Sequence, residues 1–216
     1  MPSSLSQSRR THGGLVSMAF PAYARIFDLD STPGAVYFLR SGQVQLARGR
    51  EAIVDYLGPG DVFGEKCLLT PPRNEQVATA LTPVRVLAFR KRDTRAILER
   101  DPRLMMRFVK SLARRLDRCE ETIRDCIAEN TERRLARLLF RFLPTRAASG
   151  WVRLRFSPSN SELARTIGST RWRTAHFMRK FQQMGWLSRR PELWVRTDGI
   201  REFLHSPPTS DSEPSP

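Results

Sequence analysis

The spacing of apolar residues changes twice along the chain, and each change predicts a different kind of structure. Between about residues 21 and 90 the apolar positions fall in short runs: "AVYFLR", "QVQLAR", "AIVDYL" and "VRVLAF". The segments "SG", "RGRE" and "GPGD" separate them. Short strand-forming runs punctuated by Gly and Pro predict a compact barrel or jelly-roll-like sandwich. Residues 1–20 and 205–216 are rich in Ser, Pro and Gly and lack an apolar period, so they are expected to be disordered tails.

Near residue 92 the period lengthens. Asp93 is placed to cap a short helix, and "DPRLMMRFVK" offers Asp101 as N-cap with Pro102 at the first helical position. Val109, Leu112, Leu116, Cys119, Ile123, Cys126 and Asn130 then step alternately by three and four, which is a heptad seam with charges on the other faces. The segment 101–143 therefore reads as a dimerisation helix and hinge; a helix packed on its own domain is the alternative. Asn130 on the seam would fix its register. Cys119 and Cys126 share a seam position one heptad apart. They read either as small apolar filler or as an inter-chain disulfide or metal switch. "LARLLFRFL" closes this region, and "PTRAASG" interrupts the pattern before residue 151.

Over 150–204 strand and helix signals alternate. "WVRLRF" reads as a strand, and Ser159 with Glu162 forms a capping box ahead of Leu163, Ala164, Ile167 and a Gly168 stop. Thr170 then caps a second helix running to about Met184, with Gly185 as its stop. Two short helices joined by a Gly-containing turn make a helix-turn-helix. "WLSRRPELWVRT" adds a hairpin wing around Pro191 and Glu192, and Asp198 caps a last helix, "GIREFL". Along the second helix Thr174, Phe177, Met178, Phe181 and Met184 recur at the spacing of a buried stripe. Arg171, Trp172, Ala175, His176 and Arg179 fall on the opposite face.

In a helix-turn-helix the first residues of the second helix reach base edges in the major groove. Arginine bonds guanine bidentately, and an aromatic ring packs on a thymine methyl. Ser169 and Thr170 suit a phosphate oxygen. The candidate DNA-binding set is Ser169, Thr170, Arg171, Trp172, Arg173, His176, Arg179 and Lys180. A wedge into the protein's own wing is the alternative role for Trp172, and a solvated surface histidine the alternative for His176.

Charge supports the same picture. The formal net charge is +15, and only four lysines, at 66, 91, 110 and 180, contribute to it. An arginine-rich coding bias would raise arginine everywhere, whereas residues 151–204 hold eleven Arg/Lys against four Asp/Glu. That local excess fits a phosphate-facing surface. The three cysteines (67, 119 and 126) form no C-x-x-C pair and lie near none of the three histidines in sequence, so neither a zinc nor an iron–sulfur site is expected. No Ser/His/Asp set, phosphate-cradling glycine loop or carboxylate pair points to an enzyme. No apolar run approaches the roughly 20 residues of a membrane span, and no secretory leader is apparent, which makes the cytoplasm the expected compartment.

The order of parts resembles the Crp/Fnr family of bacterial transcription regulators over roughly residues 22–204. "VYFLRSGQVQL", "GPGDVFGEKCLL", "ERRLARLLFRFL" and "SELARTIGSTRWRTAHFMRKFQQMGWL" carry the resemblance. It implies an α+β chain: an N-terminal jelly-roll-like β-roll of the cyclic-nucleotide-binding type (21–100), a long dimerisation helix, and a C-terminal winged helix-turn-helix (150–204). It also implies a homodimer on palindromic double-stranded DNA, with RNA polymerase as a further partner. Arg171 matches the family's guanine-contacting arginine, while Trp172 and His176 stand where many relatives have Glu and a second Arg. In the roll, Gly64 and Glu65 keep the ribose-side pattern. The phosphate-side places, counted back from "VATAL", hold Asn74 and Glu75; Arg73 substitutes only if the loop shifts by one residue. A carboxylate facing a phosphate is repulsive, and Asn offers no bidentate fork. No cofactor is therefore expected, the effector is unnamed and cAMP is disfavoured. The alternatives left open are a small-ligand-responsive regulator using the roll pocket, or a ligand-binding module whose winged helix contacts protein.

Overall fold

The structure is a computed structural model describing residues 11–12, 15–28, 34–49, 52–69, 76–128, 130–144, 149–189 and 192–206. The chain divides into two compact units, Met1–Arg118 and Cys119–Pro216. Among the described residues no helix is long and apolar enough to cross a membrane.

The first unit is a β-roll of two antiparallel sheets. Strands β1 (Thr11–His12), β2 (Leu15–Phe20), β3 (Arg25–Phe27), β4 (Ala35–Ser41), β5 (Val44–Arg48), β6 (Ala52–Leu57), β7 (Val62–Phe63), β8 (Gln76–Ala80) and β9 (Val84–Arg90) build it. One sheet has the order β1-β2-β9-β4-β7 and the other β3-β8-β5-β6. Residues 15–20 are thus not a disordered tail: β2 runs antiparallel to β9 with Leu15 opposite Phe89 and Phe20 opposite Val84. The pairing that orders β2 lies about seventy residues along the chain, which a local pattern cannot register.

Alternation along β4 divides the apolar residues between two faces. Leu39 and Tyr37 face a core with Phe20, Phe27, Val44, Leu46, Leu57 and Phe63. Inside it Tyr37 stacks on Phe63 with centroids 5.0 Å apart. Val36 and Phe38 face the other way, where they join Val62, Cys67 and Phe89. Ile97 of helix α1 (Lys91–Arg100) and Leu104 and Phe108 of helix α2 (Pro102–Ala128) cover that second cluster. Burial pushes the Cys67 thiol pKa up, consistent with an inert core side chain.

The helix starts follow local chemistry with one correction. Asp101 Oδ1 accepts from the Arg103 and Leu104 amides, both at 3.0 Å, and so caps α2 as expected. Asp93 does not cap α1; Arg90 holds the N-cap position and Asp93 lies within the first turn. Polar ties bind α2 to the roll. Ser111 Oγ accepts from the buried Val62 amide at 2.8 Å. Buried Asp55 receives Arg118 Nη2 at 2.9 Å and Arg115 Nε at 3.6 Å.

Along α2, Val109, Leu116 and Ile123 are 51%, 62% and 60% exposed, and Cys119 is exposed too. Leu112 is half-buried. The Cys126 side chain lies outside the described residues. Asn130 is not a seam position. α2 has ended by then, and Asn130 is the N-cap of α3 (Thr131–Arg141), its Oδ1 accepting from Arg133 N at 3.0 Å. A capping side chain outcompetes continuation of the heptad phase there.

The second unit contains α3, β10 (Trp151–Arg153), α4 (Asn160–Ile167), α5 (Arg171–Gln183), β11 (Leu187–Ser188), β12 (Trp194–Arg196) and α6 (Thr197–His205). The expected strand 151–156 is shorter. β10 ends at Arg153, and Leu154 and Phe156 instead turn into the core. The wing sheet has the order β10-β12-β11. Asp198 does not cap α6. It lies in the first turn, where its carboxylate accepts from Gly150 N at 3.0 Å. Phe181, Trp186 and Phe203 form an aromatic cluster, with Phe181 and Trp186 centroids 5.6 Å apart. Gly199 admits the indole: a Cβ there would stand 2.3 Å from Trp186 Cδ1.

Asp55 is buried and meets both Arg115 and Arg118, which keep Glu65 at 2.8 Å and Asp61 at 3.8 Å as further partners, so its loss removes the carboxylate the two cations share. Asp55→Ala is expected to destabilise the protein by about 3 kcal/mol, as for breaking a buried pair from one side, read from the shift of a urea unfolding midpoint.

Candidate nucleic-acid interface

Helix α5 is set up by its neighbours. Ser159 caps α4 with both halves of a capping box, Ser159 Oγ accepting from Glu162 N and Glu162 accepting from Ser159 N. Gly168 takes a left-handed conformation (φ 64°) that ends α4, a conformation that carries no Cβ penalty in glycine. Thr170 then caps α5, its hydroxyl accepting from Arg173 N at 3.2 Å. Thr174, Phe177, Met178 and Phe181 are buried as their spacing predicts. Met184 is not; it is past the helix end and 45% exposed.

The opposite face carries the candidate DNA-binding side chains. Arg171, Trp172 and Arg179 are exposed, and Ser169, Arg173, Ala175 and His176 are half-buried. The first turn of α5 contains no acidic residue but two arginines, at 171 and 173. Cations at a helix N-terminus oppose the macrodipole, each at a cost of about 0.3–1 kcal/mol, which a bound anion would offset. Trp172 stacks on His176, with centroids 6.0 Å apart and planes 23° apart. More than half of its surface is exposed.

Lys180 is placed differently from the rest of the set. Its ammonium lies 2.9 Å from both carboxylate oxygens of Glu132 on α3. It thus ties α5 to α3 in this structure. Arg133 beside Glu132 is buried as well, and donates to the carbonyls of Phe203, Leu204 and Ser206 at 2.8–3.1 Å. Neither tie has a local sequence signal, since the partners lie 48 and about 70 residues apart. On the wing, Arg153 meets Glu192 at 2.9 Å. Arg189 donates to Pro158 O at 3.1 Å, and burial lowers its pKa.

In the roll, Gly64 and Glu65 are brought together at the start of a short 3-10 helix, Glu65–Leu68. Gly64 has φ 78°, and a Cβ there would approach Ala35 O to 2.7 Å. Glu65 Oε1 pairs with Arg115 Nη1 at 2.8 Å, while Glu65 Oε2 is buried without a hydrogen-bond partner among the described residues. Arg73, Asn74 and Glu75 lie outside the described residues.

Comparison with known proteins agrees with both units. Residues 18–101 match the family model for a cyclic nucleotide-binding domain, and residues 133–198 that for a Crp-like helix-turn-helix domain. A CRP-like cAMP-activated global transcriptional regulator of Mycobacterium tuberculosis is 26% identical over 78% of each chain. A global nitrogen regulator of Synechocystis is 30% identical over 79% of this chain and 84% of its own. Among solved structures, a CRP/FNR-family transcriptional regulator from Thermus thermophilus superposes with a TM-score of 0.72 at 21% identity, covering 88% of this chain and 98% of that one. The chain belongs to the Crp/Fnr family of DNA-binding transcription regulators.

Proposed function

We propose that the protein is a homodimeric, non-catalytic regulator of the cytoplasm that reads a palindromic DNA site with one α5 from each protomer. The observation that carries this reading is the acid-free first turn of α5, where Arg171, Trp172 and Arg173 surround a helix N-terminus. Ser169 and Thr170 meet phosphate, Arg171 takes a guanine edge, and Arg173 and Arg179 follow the backbone. Lys180 positions α5 through Glu132. The dimer forms along Val109, Leu112, Leu116, Cys119 and Ile123, whose exposed apolar members call for a second helix. RNA polymerase is the partner through which a bound dimer would act.

cAMP is not the effector in this reading. Glu65 is already engaged by Arg115, and the phosphate-side positions lack an arginine–serine pair. A second reading, regulation by another small ligand in the roll, is favoured by the orphaned Glu65 Oε2, which suits a ligand hydroxyl.

On a site selected from random duplexes, Arg171→Ala should cost about 1–3 kcal/mol at one base pair per half-site and relax specificity there, measured by gel shift at fixed salt. A variant that ranks all sites as the parent does removes Arg171 from the reading set. Leu116→Glu should turn a dimer into a monomer in sedimentation velocity; an unchanged species would move the interface elsewhere. Adding cAMP should leave the operator Kd unchanged, and a clear gain in affinity would reverse that assignment.

A further inference from the structure

Trp172 is 54% exposed on the first turn of α5, flanked by Arg171 and Arg173. Large apolar side chains at a solvated, cationic helix start bring no stability to the free protein, so its surroundings bear on its use. The indole is held. One of its faces stacks on His176 one turn on, and His176 is met edge-on by Phe177, with centroids 5.2 Å apart and planes at 82°. Phe177 is in turn buried in the core. The sequence Phe177, His176, Trp172 therefore runs from core to surface and fixes the tilt of an apolar plate. An indole loses few rotamers on binding, and this one is already stacked.

A plate of this kind has a narrow choice of targets in a major groove. Base edges there present hydrogen-bond donors and acceptors, with one apolar projection, the 5-methyl group of thymine. Arginines on either side suit phosphate and guanine and leave the plate between them to that methyl. We propose that the Trp172–His176 pair is a methyl reader, selecting one 5-methylpyrimidine in each half-site by contact and not by hydrogen bonding. The inference rests on α5 being the DNA-reading helix, and it adds what chemistry these two residues recognise.

The test uses the full-length protein and an operator selected from random duplexes. Each thymine of one half-site, and its symmetry mate, is replaced by deoxyuridine, and Kd is measured by fluorescence anisotropy at fixed salt. With both half-sites substituted, wild type should lose about ten- to twentyfold at one thymine per half-site, the effect of two buried methyls at about three- to fivefold each. Placing cytosine at that position should weaken binding, and 5-methylcytosine should recover part of the loss. Trp172→Ala, checked for an unchanged unfolding midpoint, should bind the thymine and uracil duplexes equally while keeping its preference at the Arg171 position. Insensitivity to every methyl, a half-site without thymine, or methyl sensitivity that survives in Trp172→Ala would each overturn the proposal while leaving α5 as the reader. Failure of the selection to enrich any site would overturn the reading by α5 itself, and this inference with it.

Discussion

The packing of Phe181 is the constraint on which the rest of the second unit depends. It is fully buried, and its ring meets Trp186 at the start of the wing and Phe203 in α6. With Thr174, Phe177 and Met178 it forms the stripe that fastens α5 to its domain. A helix fastened along one whole side has its free side fixed too. Arg171, Trp172 and Arg179 thus owe their outward direction to residues buried on the other side of the helix. The acid-free first turn is tolerable for the same reason: tertiary packing, and not helix propensity, holds α5 in place.

The roll follows a related logic with polar groups in place of aromatics. Ser111, Arg115 and Arg118 recur on one side of α2 and meet Val62, Glu65 and Asp55 of the roll. Glu65 is both part of this network and the residue that the family pattern associates with a ligand. A change at Glu65 is therefore felt by α2 through Arg115, and the position of α2 is felt at Glu65.

What could be read in the sequence had a local cause. The capping box at Ser159, the Gly168 and Gly185 stops, and the Thr170 and Asp101 caps all act within four residues, and their side chains announce themselves. The amphipathic stripe of α5 was legible for the same reason, up to Met184, where the helix had ended. What escaped depended on distant partners. β2 looked like part of a tail because its strand character is supplied by β9. The short strands β3 and β7 carry too few residues to show an alternation, and β8 is buried on both faces, so it shows none. Asn130 kept the heptad spacing of α2 while capping the next helix, so two patterns overlapped on one residue. The pairing of Lys180 with Glu132 was not legible because Glu132 is 48 positions away. Arg73, Asn74 and Glu75 lie outside the described residues.

Arg133 has a consequence for the order in which the second unit is made. Its guanidinium is buried near the start of α3, yet the three carbonyls that satisfy it belong to residues 203, 204 and 206. During synthesis the arginine is therefore finished some seventy residues before its acceptors exist. Until they emerge, α3 lacks the three carbonyls that meet the guanidinium in the folded unit. The tie between α3 and the end of α6 is thus among the last contacts of this unit that synthesis makes possible.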